Sequence, residues 1–211
     1  MNRLIVGLGL STCLLATWVC TAAQNDQAVN YWPLKTGCNW TMPVPDLNPN
    51  WVITVAVLSS TTTPGGNSNV TVDYTLNGKS IQKEVYQVTA DEISRIKGGA
   101  EASGTMDPPL PIVKLPMKSG QTWNWKGTIT VGATKVNASS QFTVTGPFLV
   151  STPAGKFSAM KVHSALIINP GPKAVSMPND SWYSSGIGLV KQKVTMNGKV
   201  HRYFLSKYTV K

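Results

Sequence analysis

Two histidines, nine acidic residues and, past the first two dozen positions, a single cysteine are what this 211-residue chain offers for acid–base, nucleophilic or metal chemistry. His163 sits in AMKVHSALII on the strand face that also carries Ala159, Ala165 and Ile167. His201 falls in the last hairpin on its apolar face, so the two rings are within reach of one another only across a sheet. A zinc site would need both imidazoles and Cys38 to converge, and no ligand spacing in the sequence brings them together. No H-E-x-x-H, C-x-x-C, G-x-S-x-G or phosphate-loop pattern occurs. Without a nucleophile beside a base, no catalytic residue is assigned, and neither a cofactor nor a metal is expected.

The acids are scattered. Asp107 before Pro108 and Asp180 before Ser181 read as turn-formers that bond nearby backbone amides. Asp73 and Glu84 are close enough in a hairpin to suggest a glycosidase-type pair, but an unbroken register puts both on its solvated side. Chemistry therefore gives way to binding. Seven tryptophans, six of them beyond the N-terminal segment, supply large apolar surface. Trp40, Trp123, Trp125, Trp182 and Tyr203 are the candidate lining of an apolar concavity for a lipid-like or other hydrophobic ligand. Lys191, Lys193 and Arg202 fall on one face of the last hairpin and form the only cluster in a dispersed basic excess. No aromatic stacking series or recognition motif accompanies it, so nucleic acid is not an expected partner. An envelope protein docking on that face or on a sheet edge, with a fully packed core, is the alternative reading.

Positioning such residues takes a folded domain, and the composition allows one. Hydrophobic residues make up 42% of the chain and charged residues only 13%, which excludes disorder and long solvated helices. Residues 1–23, MNRLIVGLGLSTCLLATWVCTAA, have the layout of a secretory signal: Arg3, an apolar run from Leu4 to Val19, and a small-residue end at Thr21-Ala22-Ala23. Cleavage after Ala23 leaves residues 24–211 as one domain with a net charge of +9. Lipid attachment at Cys20 is not expected, because Val19 precedes it where a small residue is wanted. No later stretch reaches the ~20 apolar residues of a membrane span. The destination is the periplasm or the exterior, where Cys38 is left without an internal disulfide partner. The sequons at Asn39, Asn69, Asn137 and Asn179 are read as chance occurrences in a chain rich in Asn, Ser and Thr.

Strand signals dominate the rest. Alternating, β-branched runs lie at 51–58, 70–76, 81–88, 123–131, 135–144, 159–168, 188–196 and 200–210. Asn77-Gly78, Gly132, Gly146-Pro147, Pro170-Gly171-Pro172 and Asn197-Gly198 punctuate them as turns, the cadence of an antiparallel all-β domain. TADEISRIKGG at 89–99 has capping-box spacing, yet a turn followed by a strand from Ile93 suits it equally. Type I′ turns set two registers. About Asn197-Gly198, Met196 pairs with Lys199, Val194 with His201, Gln192 with Tyr203 and Val190 with Leu205. About Asn77-Gly78, Val70, Val72, Tyr74, Leu76, Ile81 and Val85 share the dry face. Thr71, Asp73, Gln82 and Glu84 share the wet one. PLKTGCNW at 33–40 and PMKSGQTW at 116–123 echo each other in register, with Cys38 opposite Gln121, so the thiol is not required by the turn. DPPLPIVKLPMK at 107–118 holds four prolines and is expected to connect or cover an edge rather than to form a central strand.

Four segments carry a family resemblance. YWPLKTGCNW, PPLPIVKLPMKSGQTWNWKG, TPAGKFSAMKV at 152–162 and WYSSGIGLVKQK at 182–193 resemble the PLxxGxxW, PAGxFxAxKV and WYxxGxGLVK motifs of uncharacterised bacterial exported β-proteins. The resemblance spans most of residues 31–195. It implies a fold similar to lipoprotein carriers, in which an antiparallel sheet curls into a half-barrel, and it transfers no enzymatic activity. Ser184-Ser185 stand where the group often has proline. The expected architecture is thus all-β: a single curved antiparallel sheet, half-barrel or sandwich-like, with little or no helix.

Overall fold

A computed structural model describes residues 27–169, 174–196 and 198–211. The signal segment at 1–23, the Pro170-Gly171-Pro172 turn and Asn197 lie outside the described residues. The chain forms one 13-stranded antiparallel sheet. Its strands are β1 (Asn39–Pro43), β2 (Val52–Thr62), β3 (Ser68–Leu76), β4 (Lys79–Val88), β5 (Glu92–Gly98), β6 (Gly104–Lys114) and β7 (Thr122–Val131). They continue as β8 (Thr134–Thr152), β9 (Gly155–Asn169), β10 (Val175–Ser184), β11 (Gly188–Met196), β12 (Lys199–Phe204) and β13 (Lys207–Thr209). A four-residue helix α1 (Ala28–Tyr31) precedes them, and one turn of 3-10 helix lies at Ala100–Ala102.

From β1 to β12 the sheet is a meander, each strand pairing with the next. The chain ends span the gap that remains. After β12, Leu205 N–H still bonds Val190 O at 2.9 Å, while Ser206 N–H bonds Thr41 O at 2.8 Å on the opposite edge. β13 then pairs with β1 through Trp40 and Tyr208. The two edges are tied again where Asp46 accepts both the backbone N–H and the Nη1 of Arg202, at 3.0 and 3.2 Å. The sheet stays open, but its two edges are tied to each other at these points, which limits edge-to-edge pairing.

The last hairpin has the register expected from its sequence, Met196 opposite Lys199 through Lys191 opposite Phe204. The first does not. Pairing starts as expected with Leu76 opposite Lys79 and Thr75 opposite Ser80, then skips Ile81, so that Tyr74 faces Gln82 and Val72 faces Glu84. One extra residue turns every later side chain of β4 to the other face. Ile81 is 47% exposed, whereas Glu84, expected on the wet face, is 3% exposed.

The prolines of 107–118 correct a second expectation. Three of the four, Pro108, Pro109 and Pro111, lie within β6, a central strand between β5 and β7. Pairing of β6 with β7 runs only from Gly104 to Asp107 and stops where the prolines begin. Beyond that point indole N–H groups replace the ladder. Trp125 Nε1 donates to Pro108 O at 3.0 Å, and Trp123 Nε1 to Pro111 O at 3.2 Å. Proline lacks a donor but keeps its carbonyl, so a side chain can meet it where a strand cannot. Other turn readings also shift. Gly146-Pro147 is a bulge inside β8 rather than a turn, and Asp107 and Asp180 stand within strands. Residues 89–99 take the strand alternative, as β5.

The two halves of the sequence echo fold alike. Gly37 and Gly120 both adopt φ of +88°. Gly37 N–H bonds Val57 O and Val57 N–H bonds Cys38 O; Gly120 N–H bonds Val144 O and Val144 N–H bonds Gln121 O. Leu34 and Met117 are buried, as are Trp40 and Trp123. Positive φ explains the shared glycine, and burial explains the shared apolar and indole positions. Cys38 is buried and free, its sulfur accepting the Lys211 N–H at 3.4 Å.

Candidate functional site: a cavity with a buried ion pair

Inner-face side chains of β1 to β6 and β8 to β12 line one cavity of about 550 Å³. In a meander, successive turns alternate between the two ends of the sheet. The β4–β5 and β10–β11 turns therefore share an end, and α1 lies across it: Ala28 N–H bonds Ala90 O at 2.8 Å and Gly186 N–H bonds Asn30 O at 2.7 Å. This brings Trp32 inward, against Tyr86 at 4.9 Å, Tyr183 at 6.1 Å and Trp40 at 6.2 Å between ring centroids. Trp32 is the floor. The opposite end carries the β1–β2 and β3–β4 connections, whose Leu47, Trp51 and Ile81 line the cavity while remaining exposed. That end is the mouth. Between floor and mouth the wall is mainly aliphatic, with Val44, Val55, Leu110, Val162, Leu166 and Leu189 among its residues.

An ion pair stands in this apolar wall. Arg95 Nη1 lies 2.6 Å from Glu84 Oε1, and Gln82 Nε2 donates to the same oxygen at 2.6 Å. Glu84 Oε2 accepts from Tyr74 at 3.0 Å and from Tyr86. Burial, reinforced by the carboxylate charge, holds the Tyr74 and Tyr86 hydroxyls well above their ordinary pKa. Burial also pushes Tyr183 up to about 12. Burial by itself pulls the Arg95 guanidinium down, but the carboxylate beside it more than offsets this, and the group stays firmly charged. The phenols are neutral donors, and the two charges cancel.

Not every polar group here is satisfied. Trp32 Nε1, Arg95 Nε, Ser140 Oγ and Asn179 Oδ1 are buried without a hydrogen-bond partner, and all four residues line the cavity. On the β10–β11 wall, Ser181 Oγ accepts from Asn179 at 3.0 Å and from Gln192 at 3.4 Å.

Of the aromatic residues singled out from sequence, Tyr203 lines the cavity. Trp40 is buried behind it, its Nε1 donating to Ile187 O at 2.6 Å. Trp123 stacks on Phe142 at 4.9 Å and, like Trp125, is committed to a β6 carbonyl. Trp182 faces outward. The cavity instead recruits Trp32, Trp51, Tyr74, Tyr86 and Tyr183, together with Glu84 and Arg95. Their signals were a helix too short to show periodicity and a bulge that alternation alone does not reveal.

The basic residues do share the outer face. Lys191 Nζ lies 4.6 Å from the Trp182 ring and 5.3 Å from Phe204, and Lys161 sits between Trp182 and Phe148 at 6.0 and 5.9 Å. Lys193 approaches Asp180 at 3.8 Å and Arg202 pairs with Asp46 at 3.2 Å, so part of that charge is neutralised. His163 Nδ1 is 2.7 Å from Asp180 Oδ1 on this exposed side, whereas His201 is buried on the inner side. The imidazoles occupy opposite faces of the sheet. Among the described residues, no three His, Cys, Asp or Glu side chains form a metal-binding group. No helix of the described residues is long and apolar enough to cross a membrane.

Comparison with known proteins agrees with this architecture. No curated protein matches the sequence. Two solved structures share the fold. A Bacteroides fragilis protein designated as exported, with a YmcC-like fold, is 16% identical over 83% of this chain and 96% of its own, with a TM-score of 0.56. A Parabacteroides distasonis protein designated as a lipoprotein is 14% identical over 85% of this chain and 98% of its own, with a TM-score of 0.57. Residues 127–203, from β7 to β12, match the family model described as DUF3108-like, a family without an assigned function.

Proposed function

We propose that this is an exported, non-enzymatic β-protein that holds a hydrophobic or amphiphilic small molecule inside its curved sheet. The observation that carries this reading is the cavity of about 550 Å³, floored by Trp32 and opening past exposed Leu47, Trp51 and Ile81. Its size falls within the ~300–1,000 Å³ of small-molecule sites, which combine apolar walls with a few placed polar groups. An exposed apolar rim around a concavity is costly unless something uses it. The non-enzymatic part rests on the commitment of Glu84 and Arg95 to each other, which leaves neither free for proton transfer. Export is supported by the N-terminal signal pattern and by the designations of the two proteins that share the fold.

Mild purification followed by organic extraction and lipid mass spectrometry tests the reading, alongside uptake of the apolar fluorophore N-phenylnaphthylamine. A stoichiometric amphiphile or saturable uptake lost on filling the cavity by Val55→Trp supports it. A chain that carries nothing and takes up no fluorophore overturns it.

A further inference from the structure

The polar groups in the cavity specify the ligand further, on the footing of the binding role just proposed. We infer that the ligand is an amphiphile with an uncharged, hydrogen-bonding headgroup, such as the glycerol ester of a fatty acid, seated head-first against Trp32 and Arg95 with its tail toward Trp51.

Three observations lead there. First, the charges cancel: among the described residues, Glu84 and Arg95 are the only Asp, Glu, Lys or Arg that line the cavity, and they pair at 2.6 Å. A fatty carboxylate would lie in a low-dielectric wall with an existing carboxylate beside its only cation. An alkylammonium would meet the reverse. Either ion pays desolvation without a free counter-charge, whereas a neutral headgroup does not. Second, unsatisfied groups of both kinds remain. Trp32 Nε1 and Arg95 Nε have only hydrogens to give, Asn179 Oδ1 can only accept, and Ser140 Oγ can do either. Trp32 is 3% and Ser140 5% exposed, so neither turns to the outer surface. An ester or amide carbonyl next to a hydroxyl answers both needs; a hydrocarbon answers neither. Third, buried donors sit deep while exposed apolar side chains stand at the mouth. The donors Trp32 and Arg95 neighbour Tyr86 near the floor, where Trp32 packs on the Tyr86 ring and Arg95 is its cross-strand partner. The mouth carries Leu47, Trp51 and Ile81. A headgroup at the floor satisfies buried donors, and a tail at the mouth covers exposed apolar surface.

Displacement of N-phenylnaphthylamine from the full chain by monooleoylglycerol, oleate and oleylamine tests this, with Trp32→Phe and Ser140→Ala as variants. Both variants keep the apolar wall and remove one hydrogen-bonding group. The expected result is displacement by monooleoylglycerol at about tenfold lower concentration than by either ion, with that preference shrinking severalfold in each variant when each is measured against its own fluorophore affinity. Equal or better displacement by oleate or oleylamine, or an unchanged preference in both variants, overturns the headgroup assignment and leaves hydrophobic binding standing. Failure of the fluorophore and of all three compounds to bind overturns both.

Discussion

Glu84 and Arg95 meet at 2.6 Å inside the curved sheet because β4 carries one residue more than β3 between the Asn77-Gly78 turn and the cavity. The extra residue is Ile81. Without it Glu84 would point to solvent and Val85 inward. The bulge thus exchanges an aliphatic side chain for a carboxylate, and the guanidinium of β5 with two phenols compensates the exchange.

That pair is a stability liability when halved. Arg95→Met is expected to cost about 3 kcal/mol, because it strands a buried carboxylate. Glu84→Gln/Arg95→Met should cost clearly less than the sum of the single changes, since the double variant strands no charge. Denaturant unfolding of the four proteins closes the cycle; additive losses would mean that the two groups are not coupled.

Alkaline stability follows from the tyrosines. Tyr183 is raised to about 12, and Tyr74 and Tyr86 are raised well above the usual value near 10. A raised folded-state pKa means that the native protein keeps its protons longer than the unfolded chain. Stability is therefore intact below about pH 10 and falls progressively as pH rises toward 12 and beyond. Tyrosinate absorbance for these three should appear together with loss of the β-sheet circular dichroism signal, not before it.

Gly188 is sterically restricted where the chain enters β11. Its φ is +103°, and a Cβ there would stand 2.9 Å from Trp40 Nε1, the atom bonded to Ile187 O. Gly186, at φ of +75°, faces open space. Gly188→Ala is expected to destabilise by about 2–4 kcal/mol and to change tryptophan emission, whereas Gly186→Ala should cost only about 1 kcal/mol. Similar losses from both would remove the steric argument.

Tryptophans divide by role. Trp123→Phe and Trp125→Phe each leave a β6 carbonyl without its indole donor and should cost about 1–3 kcal/mol in thermal or denaturant unfolding. Trp51 is 36% exposed at the mouth. Trp51→Ala should change stability by less than about 0.5 kcal/mol yet weaken fluorophore uptake severalfold. An unfolded Trp51→Ala protein would contradict its assignment to the rim.

Sequence alone determined the all-β class, the final hairpin and the two matching turns. These rest on local rules: period-two alternation, Asn-Gly turn geometry and the need for glycine where φ is positive, as at Gly37 and Gly120. It did not reveal that Pro108, Pro109 and Pro111 lie in a central strand, because the indoles that meet this segment are twelve or more residues away along the chain. Nor did it reveal which residues line the concavity it led one to expect. Which tryptophans line it depends on where α1 lands and how far the sheet curls. Whether Glu84 points in or out depends on a single skipped residue. Those outcomes are set by contacts between strands distant in sequence, and only the assembled sheet decides them.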